Sequence, residues 1–374
     1  MQQIVFHAEQ VMDDELRRIV GFASEEILSI RFVGKHIQLT VQDGAEVRVL
    51  DNIHKLVDAY NRVPFTEEEV LYAETKKKQF YSEEELLASD LISRCGEGLI
   101  SLNGVAARLY QFLDECFIRL LEGYHPQLRK FPVLLPLETY ASTKYLTTSP
   151  QYAMFCCSVR ESILEVNTLQ KHVVEGNITS LLTHPQYAFS PSACFHLYEE
   201  LRGSTLPQNS VYTFRQNVFR NEGRFNWGEL ERLRDYTVRE IVFIGDEDYV
   251  YGFREELTGK LLSLLRQLGL DYEMKVGSDP FIIPEMQKYK ALQTRSKVKY
   301  ELKVAKGRAT AIACASLNLH GVSFANSFGF EVLGTEPTVS GCVGFGLERW
   351  VLAFLSQYGN DVAHWPDFVQ QGLL

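Results

Sequence analysis

A chain of 374 residues is long enough for one large domain and one small one, and 45% apolar residues suffice for a sizeable core. Its net charge of −10 argues against broad nucleic-acid affinity, and the lack of any apolar run near ~18 residues excludes a membrane-spanning helix. The seven cysteines include no CxxC pair and the N-terminal residues MQQIVFHAEQVMDDELRR show no signal-peptide pattern, so a disulfide framework is not expected and cytoplasmic residence is.

Residues 1–94 read as a small α/β unit. Leu28 to Val41 alternates like a strand pair with a turn at Gly34-Lys35, a further strand AEVRVL is expected after Asp43-Gly44, and Asp51 to Tyr60 reads as helix. The charge runs of Thr66 to Asp90 suggest solvated helix and linker, which places a domain boundary near Cys95-Gly96. Apolar residues at 3–4 spacing predict a helix from Gly104 to Glu122, ended by Gly123. A proline-bearing strand, Phe131 to Pro136, follows. Strand-like runs recur at 211–220, 236–245, 299–305 and 310–319, with helical runs at 255–268 and 344–357. Without regular βαβ alternation this is an α+β chain: a mostly antiparallel sheet flanked by helices over 95–374, plus the small N-terminal domain.

Charge is unevenly spread. Residues 1–94 hold 11 Lys/Arg and 18 Asp/Glu, a net −7, whereas residues 286–308 hold eight Lys/Arg and one acid, a net +7. The second stretch reads as a local basic surface, either a docking face or simply a solvated one.

Two segments carry candidate chemistry. In Phe219-Arg220-Asn221-Glu222, an arginine and a glutamate two apart on a strand share a face. The arginine fork suits a phosphate or carboxylate, and the glutamate can accept from an exocyclic amine. An open loop, Gly223 to Glu231, leads to a return strand whose Tyr236 could stack on a purine. In the second segment, Gly341, Gly344 and Gly346 precede Glu348-Arg349 at the start of a helix. These glycines read as a turn that lets backbone approach a ligand closely, and the arginine could clamp a phosphate. Taken alone, the first segment also reads as a surface ion pair and the second as a structural glycine turn.

Together, Phe214–Gly245 and Ser340–Leu355 resemble motifs 2 and 3 of class II aminoacyl-tRNA synthetases, and the Gly104–Glu122 helix with Phe131–Pro136 resembles motif 1, the dimer-forming element. Within that superfamily the chain resembles the zinc-dependent branch: the atypical archaeal-type seryl-tRNA synthetases and their bacterial relatives, the amino acid:[carrier protein] ligases. Cys194 in SACFHLYEEL, Glu240 in RDYTVREIVFIG and Cys342 match that branch's three zinc ligands. The stretches FPVLLPLETYASTKYLTTSPQYAMF, SDPFIIPEM and IACASLNLHGVSF are similar to the ligases, the last through Ala313, Cys314, Ser316, Asn318 and His320. Asn221 stands where the family commonly has His or Ser.

The resemblance implies ATP, Mg2+ and Zn2+ as cofactors and formation of an aminoacyl-adenylate. Arg220, Glu222 and Arg349 would be catalytic, and Tyr236, Gly346 and Glu348 would join them in holding the nucleotide. Ser316, Asn318 and His320 would wall the pocket of a small amino acid. The acceptor implied is the phosphopantetheine thiol of an acidic carrier protein, docking on Lys288, Lys290, Arg295, Lys297 and Lys299, with the enzyme a homodimer. Charging of tRNA or of another small acceptor is the alternative, disfavoured by the acidic N-terminal unit. A catalytically inactive paralogue acting as a regulatory partner is a further alternative.

Overall fold

The computed structural model describes residues 1–7, 14–62, 69–77, 79–279, 281–283, 286 and 288–373. The chain runs β1 (Gln2–His7), α1 (Asp14–Val20), β2 (Ile27–Val33), β3 (His36–Val41), α2 (Glu46–Arg62), β4 (Val70–Glu74), α3 (Glu83–Ala88), β5 (Ile92–Gly96), β6 (Leu99–Leu102) and α4 (Gly104–Arg119). It continues β7 (Gln127–Leu128), β8 (Leu134–Pro136), α5 (Leu137–Ser142), α6 (Tyr145–Thr148), β9 (Met154–Cys156), α7 (Ile163–Val174), β10 (Tyr187–Phe189), α8 (Phe195–Glu200), β11 (Thr205–Leu206), β12 (Ser210–Phe219) and β13 (Asp235–Gly245). The last stretch is α9 (Glu247–Leu268), β14 (Tyr272–Val276), α10 (Lys288–Arg295), β15 (Lys299–Ala305), β16 (Ala311–Gly321), α11 (Ser323–Phe328), β17 (Glu331–Val332), β18 (Val339–Gly346), α12 (Leu347–Tyr358) and α13 (Asp367–Gly372).

Eight strands form the central sheet in the order β4-β14-β15-β16-β18-β13-β12-β7. Every pairing in it is antiparallel except β12 with the edge strand β7. One face carries Ile241, Phe243, Val343, Phe345, Leu302 and Leu317, buried under α4, α9 and α12 through Phe117, Leu261, Trp350 and Phe354. Burial of each such side chain is worth roughly 1.5–3 kcal/mol, which makes this the main source of stability. Asp114 of α4 takes a bidentate ion pair from Arg239 of β13, at 2.6 and 2.8 Å, fixing that helix against the sheet. Because side chains alternate along a strand, the opposite face receives Tyr236, Glu240, Lys299, Glu301, Ser316, Asn318, His320, Cys342 and Gly344.

The N-terminal unit is a three-stranded antiparallel sheet, β1-β3-β2, closed by α1 and α2 around Phe6, Ile19, Val20, Ile27, Ile37, Leu39, Val49, Ile53 and Val57. The hairpin at Gly34-Lys35 forms as expected. AEVRVL does not make a strand. Val49, Ile53 and Val57 repeat at helical spacing, so the segment enters α2 instead.

The boundary drawn at residue 94 also moves. Within Thr66–Asp90, whose residues 66–68 and 78 lie outside the described residues, Val70–Glu74 is an edge strand of the central sheet. Leu86 and Ile92 belong to the larger hydrophobic core. The two cores therefore part between Val57 and Leu71. The charge runs masked a half-buried edge strand, a position where one face and one edge remain solvated. The glycine-rich segment is not a turn either: residues 339–346 are β18, a buried interior strand.

Among the described residues no helix is long and apolar enough to cross a membrane.

Candidate active site

The polar face of the sheet opens into a cavity of about 1730 Å³. At one end Cys194, Glu240 and Cys342 converge, all buried, with one ligand atom from each within 4.8 Å of the others. Glu240 on β13 and Cys342 on β18 share a face, because Val242 is the residue paired with Cys342 and Gly344 the one paired with Glu240. Cys194 comes from the turn that opens α8. Gly344 makes room for this carboxylate, since a Cβ there would stand 2.9 Å from Glu240 Oε2 and displace it.

The neighbours of this trio are polar. Ser192 Oγ lies 3.4 Å from Cys194 Sγ, and Asn318 Nδ2 and His320 Nε2 lie 3.7 and 3.5 Å from Cys342 Sγ. Burial holds His320 down to about 4, so the ring is neutral, and its Nδ1 meets the Tyr198 hydroxyl at 3.0 Å. Burial pushes the Glu240 carboxyl up to about 8. Two thiols and a carboxylate buried together are stable as anions only beside a cation, and they are the donor types zinc takes, with a coordination position left over. The residues present therefore fit a zinc ion.

Arg220, Glu222, Tyr236 and Arg349 gather beyond the ends of β12 and β18. Arg220 and Glu222 lie just past the end of β12 rather than on it, and the Arg220 amide still bonds the Arg234 carbonyl at 3.0 Å. The Arg220 Nε donates to the Pro191 carbonyl, and its guanidinium lies 5.4 and 5.8 Å from the ring centres of Tyr152 and Tyr236. Burial opposes its charge, but Tyr236, Tyr145, Tyr152 and Glu222 outweigh that and hold it above the usual arginine range. Arg349 sits 4.7 Å from the centre of Tyr236 and 3.9 Å from Glu222, and its buried Nε has no hydrogen-bond partner among the described residues. Gly346 leaves the space between Tyr236 and Arg349 open.

Glu348 is not among the cavity-lining residues, whereas Arg349 is. Adjacent helical residues point about 100° apart, which lets Arg349 face the cavity while Glu348 turns to Thr237. Glu348 instead accepts from the Thr237 amide and hydroxyl. Ser316, Asn318 and His320 do line the cavity, beside the cysteine–glutamate trio.

The basic stretch divides. Lys288, Arg295 and Lys297 are exposed, Lys297 pairing with Glu69 at 2.9 Å. Lys290 and Lys299 line the cavity, and Lys299 is salt-bridged to Asp279 at 2.8 Å. On β15 the lysines alternate with buried apolar residues, which turns Lys299 and Lys303 inward to Asp279 and Glu301. A continuous docking face through Lys299 does not exist. Asp279 belongs to SDPFIIPEM, of which Pro280, Pro284 and Glu285 lie outside the described residues.

Sequence reasoning did not single out Tyr145, Tyr152, Asp279, Arg232 or Arg18 as cavity residues. The first two lie in a stretch whose resemblance to the ligases was the available signal; Arg18 and Arg232 carried no local pattern.

Solved structures match the fold that carries this cavity. A seryl-tRNA synthetase from M. kandleri, crystallised with A. aeolicus tRNASec, superposes with a TM-score of 0.72, covering 99% of this chain and 77% of that one at 22% identity. The chain has the class II seryl-tRNA synthetase fold. No family model matches it. Beyond that fold, the chain is similar in sequence to an amino acid–[acyl-carrier-protein] ligase from Bradyrhizobium diazoefficiens, 28% identical over 274 residues, 71% of this chain and 83% of that protein. It is also similar to a type-2 serine–tRNA ligase from Methanococcus maripaludis, 26% identical over 273 residues and 69% of this chain. The matched part of this chain spans about half of that second relative, 52% of its length.

Proposed function

We propose that the chain activates a small amino acid with ATP as an aminoacyl-adenylate and passes the acyl group to the phosphopantetheine thiol of a carrier protein. The observation that carries this reading is the buried Cys194–Glu240–Cys342 trio on the same sheet face as Tyr236, next to Arg220. Zinc held by that trio would supply a coordination position for the amino group of the substrate.

Arg220 binds the substrate carboxylate and the α-phosphate, and neutralises charge that develops as a carboxylate oxygen attacks phosphorus and pyrophosphate leaves. Glu222 accepts from the adenine amine, Tyr236 stacks on the ring, and Arg349 clamps the outer phosphates; ATP brings Mg2+ with it. Neutral His320, with Ser316 and Asn318, walls the space beside the amine, which suits glycine, alanine or serine. Positioning supplies most of the rate, and no protein nucleophile is needed. In the second step the carrier thiol attacks the acyl carbon and AMP leaves. The setting is the cytoplasm.

The enzyme works as a homodimer. Ile163, Leu164, Val173 and Val174 of α7 are 55–82% exposed, and Phe155 and Leu134 of the β8-β10-β9 sheet are exposed as well. Exposed apolar side chains of this kind are suited to burial against a second copy.

A tRNA acceptor is the second reading, favoured by the match of the tRNA-bound synthetase to 99% of the chain, N-terminal unit included. Against it stands the net −7 of residues 1–94.

Amino-acid-dependent ATP–pyrophosphate exchange with a panel of small amino acids tests the first step, with and without a zinc chelator. Exchange that chelation abolishes is expected; silence with every amino acid would leave the inactive-paralogue reading standing. Holo-carrier protein and tRNA supplied in parallel then decide the acceptor.

A further inference from the structure

The open loop between β12 and β13 does not end in solvent. Its tip, Gly223–Asn226, is gripped by the N-terminal unit. Arg224 donates to the carbonyls of Ser24 and Glu25 at 2.9 and 2.8 Å, and Asn226 Nδ2 donates to the Arg18 carbonyl at 3.2 Å. Phe225 packs on the N-terminal core. Gly223, at φ +88, lies so close that a Cβ would stand 2.7 Å from Phe22 Cζ, so only glycine serves there.

That grip brings α1 to the cavity. Leu16, Arg18, Ile19 and Phe22 line it alongside Arg232 and Arg349. Arg232 lies 3.5 Å from Glu229 and Arg349 3.9 Å from Glu222, and burial first, then the charges of Arg18 and Arg349, lower Arg232 against the opposing pull of those two glutamates. Three arginines on one cavity outnumber the two carboxylates paired with them, and the excess positive charge suits a polyanion.

We infer that the N-terminal unit completes the nucleotide site, anchoring the loop tip and contributing Arg18, which with Arg232 and Arg349 holds the outer phosphates of a nucleoside triphosphate. This rests on the reading of the cavity as an ATP site. It gives the N-terminal unit a task on its own chain that needs no nucleic acid.

The test is equilibrium binding of ATP, inorganic triphosphate and AMP to the full-length chain, comparing wild type with Arg18→Ala, Arg18→Lys and Arg17→Ala. Arg18 is exposed on α1, so its truncation leaves the core intact. Arg18→Ala should weaken ATP and triphosphate by about tenfold or more, ~1.4 kcal/mol, and leave AMP within twofold. Arg18→Lys should recover part of the loss, and Arg17→Ala should have no effect. The inference is overturned if ATP and triphosphate bind Arg18→Ala within twofold of wild type, if AMP falls by the same factor, or if wild type binds neither polyphosphate. Tight ATP binding without exchange for any amino acid would overturn adenylation alone, leaving the arginine site to be judged by the binding series.

Discussion

Glu348 accepts two hydrogen bonds from Thr237, at 2.8 Å from its amide and 3.0 Å from its hydroxyl. The pair joins the first turn of α12 to β13, and so sets where Arg349 points. Glu348→Ala and Thr237→Val should each weaken ATP binding several-fold without touching amino-acid affinity. Their stability effects should be non-additive by about 1–2 kcal/mol in a double-mutant cycle followed by urea unfolding. Full additivity would mean that the two side chains act independently.

Cys342→Ala should abolish bound zinc, expected at one ion per chain by elemental analysis, and with it amino-acid-dependent exchange. Equilibrium ATP binding should stay within about threefold of wild type, because the nucleotide residues stand past the end of β12, at another position of β13 and on α12. Exchange that survives in this variant would remove the trio from the mechanism.

Asp279 gives a pH dependence with a defined sign. Burial would raise its carboxyl, but Lys299 outweighs that, and the group is held below its ordinary 3.8. A depressed carboxylate stabilises the fold above the unfolded value and loses that contribution as pH falls through the folded one. Asp279→Asn removes this ion pair, and because the carboxylate is 45% exposed the loss should be about 1 kcal/mol at pH 6. The gap to wild type should close as unfolding is measured progressively below pH 3.8. A gap independent of pH would show that Asp279 acts through shape rather than charge.

Lys288→Glu with Arg295→Glu should slow carrier loading several-fold at low salt and leave exchange intact, because both residues are exposed. Lys299→Glu should instead destroy exchange, since it breaks a salt bridge inside the cavity. Equal behaviour of the two variants would dissolve the distinction between surface and cavity lysines.

Replacing Ile163 and Leu164 of α7 by Asp, both now more than 70% exposed, should convert a dimer to a monomer in light scattering. A variant that remains dimeric would put the interface elsewhere.

Much of this site could be read in the chain. The strand–loop–strand from Phe214 to Gly245 and the helix at Leu347 carry local patterns: a period of two, a glycine run, an arginine beside a glutamate. Arg220, Glu222, Tyr236 and Arg349 were therefore identifiable, and resemblance supplied Cys194, Glu240 and Cys342. What stayed hidden was set by direction or by distance along the chain. Summing the charge of residues 286–308 conceals that Lys299, Glu301 and Lys303 alternate with apolar residues and face inward together. Adjacent Glu348 and Arg349 look like one unit until the helical turn separates them. The grip of α1 on Gly223–Asn226 links positions some 200 residues apart, as in the bond from Asn226 to Arg18, and no local pattern encodes that.

Tyr236 and Glu240 are four residues apart on one face of β13. At about 3.3 Å per residue their backbones are fixed roughly 13 Å apart. The strand thereby serves as a ruler between the purine platform and the amine end. Both are held by one hydrogen-bonded segment, Glu240 between β12 and β18 and Tyr236 against β12, so no hinge lies between them. A one-residue slip of this strand would turn both groups into the helical core at once, which makes its register a condition of activity as much as of folding.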